Sequence, residues 1–156
     1  MSATLRSRAI PVLALDGDNL RGGVNRGLGF SAHDRSENLR RAAEIARLGT
    51  ESNLCTVASF ITPLESNRQM VAGILGQGNW SLVFVDAPLA VCQQRDGKGL
   101  YSRAKQGGVA EMTGVSSPFE TPAHADLVIR TAEESAHSSS ERLLNFALCR
   151  LSAART

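Results

Sequence analysis

An α/β domain built on a mainly parallel sheet is the fold class these 156 residues predict. Two observations carry that prediction. Short apolar runs alternate with helix-like segments along the whole length, and the two clearest runs end in turns that contain aspartate. With 42% hydrophobic residues the chain can bury one core, so a single domain over residues 1–156 is expected.

The first run, IPVLAL at 10–15, is short and apolar throughout, as in a strand buried on both faces. It ends at Asp16-Gly17-Asp18. Ligands of open α/β sheets bind outside the carboxyl ends of the strands, where two acids suit a metal ion or a proton leaving a substrate hydroxyl. The same three residues also make a plain turn, and spacing alone favours that reading.

Residues 31–48 read as a helix. Ser31 is an N-cap with Asp34 three residues on, close to a capping box. Leu39, Ala42, Ala43 and Ala46 recur at helical spacing and form its inward face, while Arg40, Arg41, Glu44 and Arg47 line a solvated outer side. Arg35 and Asn38 lie one turn apart in its first turns. There an arginine grips phosphate or sulfate in a bidentate fork and an asparagine reads a base edge or a ribose. Spacing leaves that role and a structural one equally open.

Runs at 54–60 and 82–85 are strand-like, the second ending at Asp86-Ala87-Pro88; 126–129 makes a shorter strand and 141–151 a closing amphipathic helix. The polar stretch 135–140 is a loop or a helix start. A basic, glycine-rich segment from Gln94 to Gly108 fits either an exposed loop or a lid closing over phosphates.

Composition narrows the function. A net charge of +2 is too small for a nucleic-acid footprint. Cys55, Cys92 and Cys149 are widely spaced with no CxxC pair, so neither a metal knuckle nor a disulfide framework is indicated, and Cys55 reads as a small apolar strand residue. No signal peptide or transmembrane run is evident, which makes a cytoplasmic protein without a membrane partner the expectation.

Taken together, LDGDNLRGGVNRGLGFS, DRSENLRRAAEIARL, ASFITP, NRQMV, VFVDAPLAVCQQRDGKGLY and TGVSSPFETP resemble the adenylylsulfate (APS) kinases, in the family's order and near its spacing, from about Leu5 to Thr131. The resemblance implies a P-loop kinase-like three-layer sandwich. It implies transfer of the ATP γ-phosphoryl to the 3′-hydroxyl of adenosine 5′-phosphosulfate, giving 3′-phosphoadenylylsulfate for sulfate assimilation, with Mg²⁺ as the companion of ATP. Asp16 and Asp18 resemble the acids beside magnesium and the reacting hydroxyl, Asp16 being the metal residue. Arg21, Phe30, Arg35 and Asn38 resemble the APS pocket, and Ile61 lies where backbone groups touch the nucleotide. Thr62 falls on the serine of the family's SFISP motif, which some members carry as a phosphoserine; direct transfer needs no such intermediate, so Thr62 is expected to position. Arg95, Lys98 and Tyr101 belong to a lid spanning about 95–114, expected to be mobile until nucleotide binds. A homodimer or an association with ATP sulfurylase also falls within what the resemblance implies.

Departures from the family pattern point toward a weaker grip on APS. Met112 stands where an aromatic stacks on the base, a difference worth about 1–3 kcal/mol by analogy with base–aromatic stacking. Ala110 replaces a basic residue, Ser102-Arg103 a basic pair, Arg21-Gly22 an Arg-His pair, and Leu64-Glu65 a site where a base is common. The family's first strand, its GxSGxGKS-type loop and most of its first helix align ahead of Leu5. The expectation is therefore a sheet lacking the first strand and P-loop, interrupted where that strand belongs. Three readings follow: a kinase whose start is set too late, a non-catalytic remnant that binds APS or its product, or a structural piece that pairs with another chain.

Overall fold

The computed structural model describes residues 1–97, 99–105, 112–114 and 116–153. Its elements follow the expected alternation: α1 (Ser2–Ser7), β1 (Val12–Asp16), α2 (Gly17–Gly22), α3 (Ala32–Glu51), β2 (Cys55–Ser59), α4 (Glu65–Leu75), β3 (Val83–Asp86), α5 (Leu89–Gln94), α6 (Leu100–Lys105), β4 (Leu127–Arg130) and α7 (Ala136–Ala153). All four strands lie in parallel ladders, and each strand is entered from a helix, the connection that parallel pairing requires.

The ladders form two separate pairs. β1 pairs with β2 in the register Val12↔Cys55 through Asp16↔Ser59, and β3 pairs with β4 from Val83↔Leu127 to Asp86↔Arg130. Among the described residues β2 and β3 share no ladder. Leu82 and Asp126 close the start of the second pair, the Asp126 carboxylate accepting from the Leu82 N–H at 2.7 Å.

The better-filled core lies against the first pair. Leu39, Ala42, Ala43 and Ala46 of α3 are buried with Leu15 of β1, as the helical spacing predicted, and Leu5 of α1 is fully buried. Small side chains let α3 approach the strands closely. At Gly49 a methyl group would come within 2.8 Å of Leu13 Cδ2 and Thr56 Oγ1. The second pair is thinner: Ile129 is buried, whereas Val85 of β3 is 62% exposed, unusual for a parallel strand. The halves meet where the Glu120 N–H donates to the Pro63 carbonyl at 2.7 Å and the Glu120 carboxylate accepts from the Glu65 N–H at 2.5 Å.

Two elements add detail to the sequence reading. The closing helix begins at Ala136, not 141, because the Ser135 hydroxyl accepts from the Ser138 N–H at 3.1 Å and starts the helix within the serine run. The lid segment contains a short helix, α6, whose first N–H groups at Leu100 and Tyr101 are held by the Asp96 carboxylate at 2.8 and 2.9 Å. Lys98 and residues 106–111, Ala110 among them, lie outside the described residues, and part of the expected lid falls on them.

Candidate active site

The site is assembled at the carboxyl ends of β1 and β2. Asp-Gly-Asp proves to be a helix start. Asp16 Oδ1 accepts from the Asp18 and Asn19 N–H groups at 3.1 and 3.0 Å, capping α2. Asp16 Oδ2 takes no hydrogen bond among the described residues, and both aspartates are exposed. The β1–β2 register brings the chain beyond Ser59 beside this cap. A methyl group on Gly17 would lie 3.3 Å from the Phe60 ring, so Phe60, Ile61 and Thr62 form the neighbouring wall. Ile61 is 61% exposed, and the Thr62 carbonyl accepts from Arg68 Nη1 at 2.8 Å.

Arg21 leaves the last turn of α2 and ties down the following loop: its Nη1 donates to the Leu28 and Gly29 carbonyls at 3.0 and 2.6 Å. Phe30, at the end of that loop, is 56% exposed. The Arg21 guanidinium lies 4.6 Å from its ring centroid and the Arg35 guanidinium 5.5 Å from it. Arg35 Nε also donates to the Phe30 carbonyl at 2.8 Å. Ser31 caps α3 as predicted, accepting from the Asp34 N–H at 3.1 Å, which sets Arg35 and Asn38 on the loop-facing side. Asn38 is buried against Asn25, whose Nδ2 donates to Asn38 Oδ1 at 2.7 Å.

The remaining predicted residues sit on the other strand pair. Arg95 donates to Thr131 Oγ1 and to the Thr131 carbonyl at 3.3 and 2.9 Å. Tyr101 is partly buried, and burial, followed by its contact with Cys92, pushes its phenol above the usual range. Met112 closes a turn, its N–H donating to Ser116 Oγ at 2.8 Å. The contacts thus unite Arg21, Phe30, Arg35 and Asn38 through one loop. Asp16, Asp18 and Thr62 join them through β1, α2 and β2, while Arg95, Tyr101 and Met112 belong to a separate region. Residue-type reasoning passed over Asn25 and Arg68. Arg68 is only 3% exposed, and its Nε donates to Glu65 at 2.8 Å; its place in the sequence carries no signal of that depth.

The outer side of α3, expected as a solvated face, carries ion pairs that steady the helix bearing Arg35 and Asn38. Hydrogen bonds from Arg40 at 2.8 Å and Arg41 at 2.7 Å hold the Glu37 carboxyl down to about 2 from its ordinary 4.5. The stability this gives α3 is complete above pH 4.5 and is lost as pH falls through about 2. The Glu37 side-chain carboxyl carbon should therefore titrate by NMR with a midpoint near 2. A midpoint near 4.5 in the parent chain would contradict the paired geometry. Cys55 fits its apolar reading, since burial alone pushes its thiol up.

Two acids at and just beyond the end of β1 stand next to an arginine–phenylalanine cradle in an α/β fold, and the family match sets the class as a kinase. The chain belongs to the adenylylsulphate kinase family, whose model matches residues 1–130. It is 44% identical over 144 residues to an adenylyl-sulfate kinase of Bacteroides thetaiotaomicron, covering 92% of this chain and 72% of that relative. It is 49% identical over 117 residues to the bifunctional enzyme NodQ of Rhizobium tropici, covering 75% of this chain and 18% of that protein. Among solved structures, the Mycobacterium tuberculosis APS kinase CysC in complex with AMPPNP and APS is similar at a TM-score of 0.86 and 34% identity, over 92% of this chain and 84% of that one. No helix among the described residues is long and apolar enough to cross a membrane.

Proposed function

We propose that this site takes adenosine 5′-phosphosulfate as phosphoryl acceptor and ATP as donor, forming 3′-phosphoadenylylsulfate. The observation that carries the proposal is the cradle of two guanidinium groups about one exposed aromatic, Arg21 and Arg35 at 4.6 and 5.5 Å from Phe30. Guanidinium forks match the paired oxygens of phosphate and sulfate, and an exposed ring offers a face to a purine. The relatives named for the same reaction support this reading.

Roles follow from position. Arg21 shapes the loop through the Leu28 and Gly29 carbonyls, and together with Arg35 it neutralises the phosphosulfate. Asp16 or Asp18 accepts the proton of the 3′-hydroxyl as its oxygen bonds to the γ-phosphorus and ADP leaves. Thr62 orients the acceptor from the adjoining strand end. Lys98 and Arg95, with Tyr101, belong to the donor side.

The residues present fit magnesium. Among the described residues no group of three or more metal-binding side chains occurs, whereas Mg²⁺ in kinases is held by one or two carboxylates plus phosphate oxygens. Asp16, with one carboxylate oxygen committed to the cap and the other without a partner among the described residues, is the residue that would hold it. When bound, the ion supplies charge neutralisation at the transferring phosphoryl group.

NMR titration of the full chain tests the proposal. Adenosine 5′-phosphosulfate should shift the side-chain Nε–H signals of Arg21 and Arg35 and the Phe30 ring before any other side chains. Saturation with those signals unmoved would contradict the site.

A further inference from the structure

We propose that Asn25 is a positioning residue that turns the Asn38 amide so that its N–H groups, not its carbonyl, face the bound nucleotide. The inference rests on the substrate reading above and concerns how that same pocket discriminates.

Asn25 is fully buried, and its backbone is fixed at both ends of the loop. Its N–H donates to the Leu20 carbonyl at 2.8 Å, and its carbonyl accepts from the Leu28 N–H at 3.1 Å. The side chain therefore projects from a pinned position. One terminal atom of its amide lies 2.7 Å from the Asn38 amide and 3.5 Å from the Asn38 backbone carbonyl. A backbone carbonyl only accepts, so the atom beside it is the nitrogen, Nδ2. Its nearer partner must then be an acceptor too, which makes it Asn38 Oδ1. The Asn38 orientation follows: Oδ1 is turned inward onto Asn25, and Nδ2 is left for the pocket, with no partner among the described residues.

The arrangement has a cost that its role accounts for. Asn25 Oδ1 is buried without a partner among the described residues, a standing penalty that an apolar side chain would avoid. A residue serving only to fill the space would be better as leucine. What asparagine supplies is the donor that fixes Asn38. A pocket built this way takes an acceptor at that point, such as a purine ring nitrogen or a ribose or phosphosulfate oxygen. It does not accept from an exocyclic amine.

Calorimetry of adenosine 5′-phosphosulfate binding to the full chain tests the idea with four variants. Asn25→Ala should weaken binding about 5–10-fold, the scale of one hydrogen bond to the ligand made less available. Asn25→Ser keeps a donor and should recover part of that loss. In an Asn38→Ala background the Asn25→Ala change should add less than about twofold, a coupling that a merely structural role would not produce. Asn38→Asp retains the inward acceptor and removes the outward donor, so it should bind as weakly as Asn38→Ala. Parent-like binding by Asn38→Asp, or an Asn25 effect that persists without the Asn38 amide, overturns the proposal. If the parent chain itself fails to bind, the substrate reading fails instead, and the orientation is read without ligand. The Asn25 side-chain NH₂ protons should then be protected from exchange and those of Asn38 not, and the reverse pattern overturns it.

Discussion

Removing Arg35 should have the largest effect on the acceptor side. Arg35→Ala is expected to weaken adenosine 5′-phosphosulfate binding by about 1.5–3 kcal/mol, roughly 10–150-fold in Kd. The change deletes a guanidinium 5.5 Å from the Phe30 ring and a hydrogen bond of 2.8 Å that anchors the Phe30 carbonyl. Arg35→Lys should recover little, because an ammonium cannot reproduce the planar fork. Calorimetry at fixed ionic strength reads both variants, and unchanged affinity in Arg35→Ala would remove Arg35 from the pocket.

Much of this architecture is legible in the sequence because its signals are local. The apolar runs ending in Asp16 and Asp86 place β1 and β3 to within two residues. Ser31 and the stripe Leu39, Ala42, Ala43 and Ala46 fix both the start and the buried face of α3. Short helices are harder to see. Asp16-Gly17-Asp18 has the composition of a turn, and only the carboxylate accepting two N–H groups makes it the cap of α2. The extent of α7 depended on one serine hydroxyl among several.

The residues proposed for the acceptor side were reached through their motifs, not through spacing. Arg35 and Asn38 one turn apart carry no chemistry until the loop folds Arg21 and Phe30 against them. Asn25 escaped because its partner lies 13 residues away and no periodicity links a loop asparagine to a helical one. Arg68 escaped for a related reason: a charged residue in a helix reads as solvated, and its burial follows from α4 packing on α3 and from the Thr62 carbonyl.

The most direct test is a calorimetric titration of the 156-residue chain with adenosine 5′-phosphosulfate beside one with AMP. The sulfated nucleotide should give a saturable one-to-one isotherm of clearly higher affinity, because Arg21 and Arg35 grip sulfate oxygens that AMP lacks. Equal affinities, or no saturable binding of the sulfated nucleotide, would contradict the account.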